Sequence, residues 1–110
     1  MERTVIAKTL FTGKTAINEA GTIGSGYGGQ AREWIFHVVA RGTVTAGKVK
    51  IEAAHDPDYT GAWALIGAEI TLATDTVAIV STTGAHRALR ARISTAVTGG
   101  AVVDAYLTGN

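Results

Sequence analysis

The sequence predicts a single all-β domain, an antiparallel β-sandwich of the jelly-roll kind with about eight strands. Glycine and threonine interrupt the chain about every ten residues, which is the spacing of short strands joined by turns. Within several segments apolar and polar residues alternate with a period of two, so that one side of each strand faces inward. The chain has 110 residues, too few for a second hydrophobic core.

The predicted strands are Thr4–Phe11, Glu33–Arg41, Gly47–Ala54, Ala62–Ile66, Glu69–Ala73, Val77–Thr82, Arg87–Ser94 and Ala101–Thr108. The alternation is clearest where Val49, Ile51 and Ala53 alternate with Lys48, Lys50 and Glu52. We expect residues 1–29 to form an N-terminal strand and a glycine-rich arm, and residues 30–110 to form the sandwich, within one domain overall.

The segment around Trp34 fits two kinds of secondary structure. Apolar residues between Ala31 and Val39 have the spacing of an amphipathic helix. Phe36, however, lies on the opposite side of that helix, and the segment is rich in β-branched and aromatic residues. No Ser, Thr, Asp or Asn precedes Ala31 as a helix cap. The sequence therefore predicts a strand here.

The composition limits the kinds of partner. Charged residues make up 17% of the chain, against about 25% in an average protein, so part of the apolar surface is expected to need cover from another subunit. The net charge is +1 and the ten cations are scattered, so neither nucleic acid nor a membrane is expected as a partner. The sequence has no cysteine, signal peptide or apolar run of about 18 residues. We expect a product that begins soluble in the cytoplasm.

Two glycine motifs are candidates for nucleotide binding, and one acidic turn is a candidate for metal binding. Gly24–Gly29 matches G-x-G-x-x-G, but no buried strand precedes it and the chain lacks alternating strands and helices. Gly13-Lys14-Thr15 resembles the end of a P-loop, yet Lys8 stands where that motif needs glycine. His55-Asp56-Pro57-Asp58 offers possible metal ligands, although such turns are usually solvated. We therefore expect no enzyme activity, catalytic residue, cofactor or metal.

The two tryptophans have two possible roles. Trp34 and Trp63 are expected to anchor the core or to pack between subunits, because tryptophan buries a large area and this chain has few aromatic residues. Alternatively, they form the stacking surface of a carbohydrate-binding module. Tyr27 lies in the glycine-rich segment without a strand to bury it, so it is the aromatic residue best placed to contact a partner.

The order of elements in the last two thirds of the chain resembles a known class of proteins. An alternating strand is followed by a polar turn that leads to a tryptophan, then by an arginine-rich strand, a Gly-Gly pair and a final apolar strand. These elements are Lys48–Ala54, Asp56–Trp63, Arg87–Ile93, Gly99-Gly100 and Ala101–Leu107. The pattern resembles the head decoration (cement) proteins and related small β-sandwich proteins of tailed-phage virions.

This resemblance implies a structural role without enzyme activity. The chain would form a homo-oligomer, a trimer in the first instance, on the capsid surface of a virion after synthesis in the host cytoplasm. It would bind the major capsid protein and stabilise the head by bridging shell subunits, where many weak contacts add up. Two alternatives stay open: a phage tail or head-completion protein, and a carbohydrate-binding β-sandwich module.

Eight residues are candidates for assembly contacts. An N-terminal strand held by the glycine-rich segment could add to the sheet edge of a neighbour, and the acidic turn could face the shell. The candidates are Val5, Ile6, Leu10 and Phe11 in the strand, Tyr27 in the glycine-rich segment, and His55, Asp58 and Tyr59 in the turn. We further expect the last two strands to form a hairpin in which Arg92 faces Asp104.

Overall fold

The computed structural model describes residues 6–23, 33–84 and 86–109, and the regular structure in these ranges is all β-strand. The all-β class predicted from the sequence is therefore confirmed. The described strands are β1 (Ile6–Lys14), β2 (Ala20–Ile23), β3 (Glu33–Arg41), β4 (Ala46–Ala54), β5 (Ala64–Leu65), β6 (Ile70–Thr71), β7 (Val77–Thr83), β8 (Ala88–Thr98) and β9 (Val102–Gly109).

These strands form two antiparallel sheets that pack face to face. Sheet A has four strands in the order β1-β9-β3-β7. Sheet B has five, in the order β2-β8-β4-β5, with β6 also paired to β4. Consecutive strands lie in the same sheet only from β4 to β6, and every other pair of consecutive strands is divided between the two sheets. This strand order is that of a jelly roll.

The core consists of the inward side chains of both sheets, as the alternating pattern predicted. Trp34 and Phe36 on β3 belong to the same hydrophobic cluster as Ile51 on β4 and Leu89 on β8, and all four are almost completely buried. Fully burying a large apolar side chain stabilises a fold by about 1.5–3 kcal/mol. The buried apolar residues are Phe11, Ile23, Trp34, Phe36, Val38, Ala40, Val49, Ile51, Ile70, Leu72, Ala88, Leu89, Ala91, Ile93, Val97, Ala101, Val103, Ala105 and Leu107.

The segment around Trp34 is a strand over the predicted range, Glu33–Arg41. Its side chains alternate between buried and more exposed positions along almost its whole length. It is one of the two central strands of sheet A and pairs with both β7 and β9. The β-branched and aromatic residues thus indicated the structure correctly, and the helical spacing was coincidental.

Strand β2 was not predicted, because its glycine was interpreted as part of a flexible arm. Gly21 instead lies where sheet B passes close to β1, and a Cβ atom at this position would collide with the backbone of Leu10. The glycine therefore serves a close backbone approach. The expected arm at residues 24–29 lies outside the described residues.

The predicted hairpin of the last two strands is wrong. β8 belongs to sheet B, where it pairs with β2 and β4, whereas β9 belongs to sheet A and pairs with β1 and β3. Gly99 and Gly100 have φ angles of 106° and 103°, which lie in the region that favours glycine, and the chain crosses between the sheets at this point. Arg92 and Asp104 consequently lie in different sheets. The apolar side chains of both strands still face the core, but from opposite sides.

Several strand ends also differ from the prediction. β1 continues to Lys14 and β8 continues to Thr98. The expected strands Ala62–Ile66 and Glu69–Ala73 shrink to two residues each, β5 and β6. Propensity and alternation located these elements, but backbone pairing decides where each one ends.

Candidate functional site

The outer surface of sheet A carries an exposed apolar patch. Ile35 on β3, Val77 and Ile79 on β7, and Tyr106 on β9 are 40%, 53%, 63% and 36% exposed. We call these four outward side chains the apolar face. Large apolar side chains are common on protein surfaces as single residues, but a cluster of them is typical of an interaction site.

The sheet register places this cluster around His37. His37 lies opposite Ile79 on one side and opposite Tyr106 on the other. Ile35 is two residues away on the same strand, and Val77 is two residues from Ile79, so all of them point to the same side of the sheet. His37 is half-buried among them. The apolar face is therefore one continuous surface centred on a histidine.

The outer surface of sheet B carries paired charges instead. Glu52 on β4 is only 5% exposed. Its Oε1 atom accepts hydrogen bonds from Arg90 Nε at 2.8 Å and Arg92 Nε at 2.9 Å, and its Oε2 atom accepts one from Arg92 Nη2 at 3.2 Å. Burial alone would raise the pKa of Glu52, but the hydrogen bonds and the positive charges of Arg92 and Arg90 together outweigh it, and the pKa is lowered.

Two further contacts extend this arrangement along sheet B. Ser94 Oγ donates to Glu69 Oε2 at 2.6 Å, and Lys48 Nζ lies 3.8 Å from Glu69 Oε1. The Ser94 hydrogen bond is the main cause of a lowered pKa at Glu69. We call Glu52, Glu69, Lys48, Arg90 and Arg92 the charged face. Its carboxylates are satisfied by cations and a hydroxyl of the same chain, as a nearly buried carboxylate such as that of Glu52 requires.

Trp63 packs against Arg90 of the charged face and is not part of the core. It is half-buried, and its Nε1 atom donates to the carbonyl of Tyr59 at 2.9 Å. The guanidinium carbon of Arg90 lies 4.2 Å from the ring centroid, which is cation–π geometry. The expectation of a core or inter-subunit anchor fits Trp34, which is completely buried and donates from Nε1 to the Gly84 carbonyl at 3.0 Å. For Trp63 a core role is wrong.

The acidic turn is exposed, as expected, and is held by local contacts. The backbone amide of Asp58 donates to Asp56 Oδ1 at 2.8 Å. The rings of His55 and Tyr59 lie 4.6 Å apart at a tilt of 53°, and Tyr59 is 39% exposed. His55, Asp58 and Tyr59 are therefore accessible to a partner, and they lie next to Trp63.

The N-terminal contact residues have mixed positions. Val5 and Tyr27 lie outside the described residues. Ile6 pairs through its backbone with Gly109, and Leu10 is half-buried against the core. Phe11 is 7% exposed and belongs to the core, so its side chain is not available as an assembly contact. β1 itself pairs with β9 of the same chain.

Asp104 forms the main polar link within sheet A. It is 4% exposed and accepts hydrogen bonds from Arg41 Nε at 2.6 Å, from Arg41 Nη2 at 3.0 Å and from the backbone amide of Gly13 at 2.9 Å. The Arg41 hydrogen bond is the main reason that the pKa of Asp104 is lowered. Because Gly13, Arg41 and Asp104 belong to β1, β3 and β9, this group fixes the relative positions of three strands.

The described part of the chain offers little for catalysis or metal binding. No group of three or more His, Cys, Asp or Glu side chains within it is placed to hold a metal ion. Every buried side-chain nitrogen or oxygen there has a hydrogen-bond partner, as is usual for a well-packed core. No helix of the described residues is long and apolar enough to span a membrane.

Sequence reasoning missed the apolar face, although a signal for it was present. In β3 and β7 the outward positions are also apolar, so Trp34-Ile35-Phe36 and Val77-Ala78-Ile79-Val80 are continuous apolar runs rather than alternating ones. Continuous runs are typical of strands that are covered on both sides. In the isolated chain one of those sides is exposed.

The fold has counterparts among solved structures. The crystal structure of the SPBc2 prophage-derived protein YomS matches 96% of this chain and 94% of its own length, with a TM-score of 0.59 and 18% identity. A chain from Bacillus endospore appendages, which form a novel family of disulfide-linked pili, matches 98% of this chain and 88% of its own, with a TM-score of 0.49 and 12% identity. No protein-family model matches the chain, and neither does any curated protein sequence.

Proposed function

We propose that this chain is a non-enzymatic structural subunit of a phage-type particle, and that it decorates the capsid and bridges neighbouring shell subunits. The observation that carries the proposal is the apolar face, which is exposed on an otherwise well-packed sandwich. An apolar surface of this kind is typical of a subunit that another protein covers.

Three further observations support the proposal. The jelly-roll order of the strands is used in viral capsid domains, and the YomS protein, which shares the fold along nearly the full length of both chains, is prophage-derived. The order of elements from Lys48 to the last strand also resembles that of phage head decoration proteins. The trimer that this resemblance implies stays a prediction, as does the major capsid protein as the partner.

In the assembled particle the two outer surfaces would have different roles, one facing solvent and the other contacting protein. The charged face keeps its carboxylates and cations paired within the chain, which suits a surface in contact with water. The apolar face, together with the exposed acidic turn at His55–Tyr59, is left for protein contacts. Each contact need only be weak, because many copies on one shell act together.

The test is to locate the protein in virus particles. Particles purified from the source of the gene are labelled with an antibody against this chain and a gold conjugate, and examined by electron microscopy. Labelling over the whole head supports decoration. Labelling only at the neck or tail would assign the chain to the tail or head-completion alternative, and particles without label would contradict a structural role in the virion.

A further inference from the structure

The edges of the two sheets differ in how well they are protected against pairing with another strand. In sheet B the edge strands β2, β5 and β6 have only four, two and two residues. In sheet A the edge strand β1 carries Lys8 and Lys14, and its pairing with β9 contains two register shifts. Short length, lysines and bulges are the usual means of preventing edge-to-edge association.

β7, the other edge of sheet A, has none of these protections. It has seven residues, Val-Ala-Ile-Val-Ser-Thr-Thr, with no charge and no proline. It pairs with β3 in unbroken register from Val77 to Thr83, and β3 is its one partner among the described strands. A long, regular and uncharged edge is a template for a further strand.

The hydrogen-bond pattern shows which residues of β7 present their backbone at this edge. The amide of Ala40 donates to the carbonyl of Thr76, so residues 76, 78, 80 and 82 direct their backbone groups towards β3. By the alternation of antiparallel pairing, Val77, Ile79, Ser81 and Thr83 direct theirs outward. Side chains at these four positions are all exposed.

We propose that β7 pairs with β7 of a second copy of this chain, antiparallel and about a two-fold axis at Val80. In this register Ile79 faces Ser81 of the second copy and Val77 faces its Thr83, so the outward amides and carbonyls meet one another. The Thr83 carbonyl already contacts His86 Nε2 at 3.0 Å, but a carbonyl oxygen has a second lone pair. Because β7 carries no charge, two identical strands can pair without repulsion.

The same pairing explains the position of the apolar face. A two-fold axis perpendicular to the sheet keeps outward side chains outward, so the two four-stranded sheets A join into one continuous sheet. Ile79 of one copy then lies diagonally across the junction from Ile79 of the other, and Val77, Ile35 and Tyr106 extend the apolar surface away from the junction in each copy. The inference deepens the proposed structural role and rests on it, because a paired unit would present a doubled apolar face to the shell.

Two variants test the pairing. Ile79→Lys places a charge at the centre of the junction, and Ser81→Pro removes one outward amide at a position where an edge strand tolerates proline. The matched control is Leu65→Lys on the edge strand β5, where Leu65 is 46% exposed. Circular dichroism melting shows whether each variant is folded, and sedimentation equilibrium gives its mass.

We expect the wild type and Leu65→Lys to form dimers, or larger assemblies with an even number of copies, and Ile79→Lys and Ser81→Pro to be folded monomers. Hydrogen exchange should show the amides of Ile79 and Ser81 protected in the dimer and exchanging freely in the Ile79→Lys monomer. If Ser81→Pro does not fold, Ile79→Lys decides alone.

Three outcomes would overturn the inference: a wild type that stays monomeric at high concentration, a trimer as the sole oligomer, or an oligomer that Ile79→Lys leaves intact. None of them bears on the proposed function, which gold labelling of particles tests separately. A monomer that nevertheless decorates heads would leave the structural role standing and remove only the β7 pairing.

Discussion

The outer surfaces of the two sheets differ in whether their side chains find partners within the chain. On sheet B, Glu52 is nearly buried and receives hydrogen bonds from both Arg90 and Arg92. On sheet A, Ile79 is 63% exposed and Tyr106 is 36% exposed. One surface is satisfied by contacts within the chain, whereas the other leaves apolar area in water.

This difference indicates that the outer surface of sheet B contributes to the stability of the single chain, whereas that of sheet A is available to a partner. Side chains of the charged face contribute to the stability of the single chain, so changing them should be costly in the isolated protein. Side chains of the apolar face contribute little to the isolated fold, and changes there should affect association instead. The predictions below test this division, beginning with the largest expected effect.

Among substitutions on the two outer surfaces, Glu52→Gln should give the largest loss of stability. The substitution keeps the volume but removes the charge that Arg90 and Arg92 share. Removing one partner of a fully buried pair costs about 3–5 kcal/mol. Because the two arginine side chains are 22% and 20% exposed, we expect about 2–3 kcal/mol at neutral pH. Urea denaturation measures the change in the free energy of unfolding.

Glu33→Gln is the matched control for this experiment. Glu33 is exposed at the start of β3, and the same chemical change there should alter the free energy of unfolding by less than about 0.5 kcal/mol. Equal effects of the two substitutions would contradict the division between the surfaces, because the charged face would then contribute no more than an ordinary exposed residue.

Acid should destabilise the fold partly through Asp104. Hydrogen bonds from Arg41 hold the pKa of Asp104 below its ordinary value, which is about 4 in an unfolded chain. A carboxyl with a lowered folded-state pKa contributes stability above its unfolded pKa, and this contribution is lost as the pH falls through the folded-state pKa. The free energy of unfolding should therefore decrease below about pH 4.

Asp104→Asn should make this decrease shallower, since the amide does not titrate in that range. Ile35→Thr, a change on the outer surface of the same sheet that leaves every carboxyl in place, should keep the wild-type pH dependence. Denaturation curves between neutral pH and about pH 3 make the comparison. An unchanged acid dependence in Asp104→Asn would mean that the link between β1, β3 and β9 contributes no electrostatic stability.

The sequence predicted the strands and their inward sides much better than it predicted their pairing. The period of two in β4 and β8 identified Val49, Ile51, Leu89 and Ile93 as inward residues, because alternation depends only on local geometry. Pairing between β8 and β9 was inferred from their adjacency in the chain, yet jelly-roll crossovers place them in different sheets. Alternation gives no information on which sheet a strand joins.

The candidate site was predicted only in part for a related reason. The exposed turn at His55–Tyr59 followed from its polar residues. The apolar face did not, because Ile35, Val77 and Ile79 look like core residues in a sequence. They are exposed only because sheet A has core on one side and, among the described residues, nothing on the other. Phe11 was predicted to be an exposed contact residue but belongs to the core, since an edge strand still buries its inward side chains.

Trp63→Ala should cause a smaller loss of stability than Glu52→Gln and decide whether the charged face also binds a ligand. Trp63 is half-buried, and its main contacts are the hydrogen bond to the Tyr59 carbonyl and the stacked Arg90. Each of these contributes about 0.5–1.5 kcal/mol, so we expect a total of about 1–2 kcal/mol by urea denaturation and a folded protein. The buried Trp34 is the matched comparison, since Trp34→Ala should cost about 3–5 kcal/mol.

Arg90 covers one side of the Trp63 ring, and the carboxylates of the charged face are already paired within the chain, so we expect no saccharide binding on a glycan array. If the wild type bound a glycan and the folded Trp63→Ala variant did not, the carbohydrate-binding alternative would replace the capsid role, and sheet B would become the functional surface.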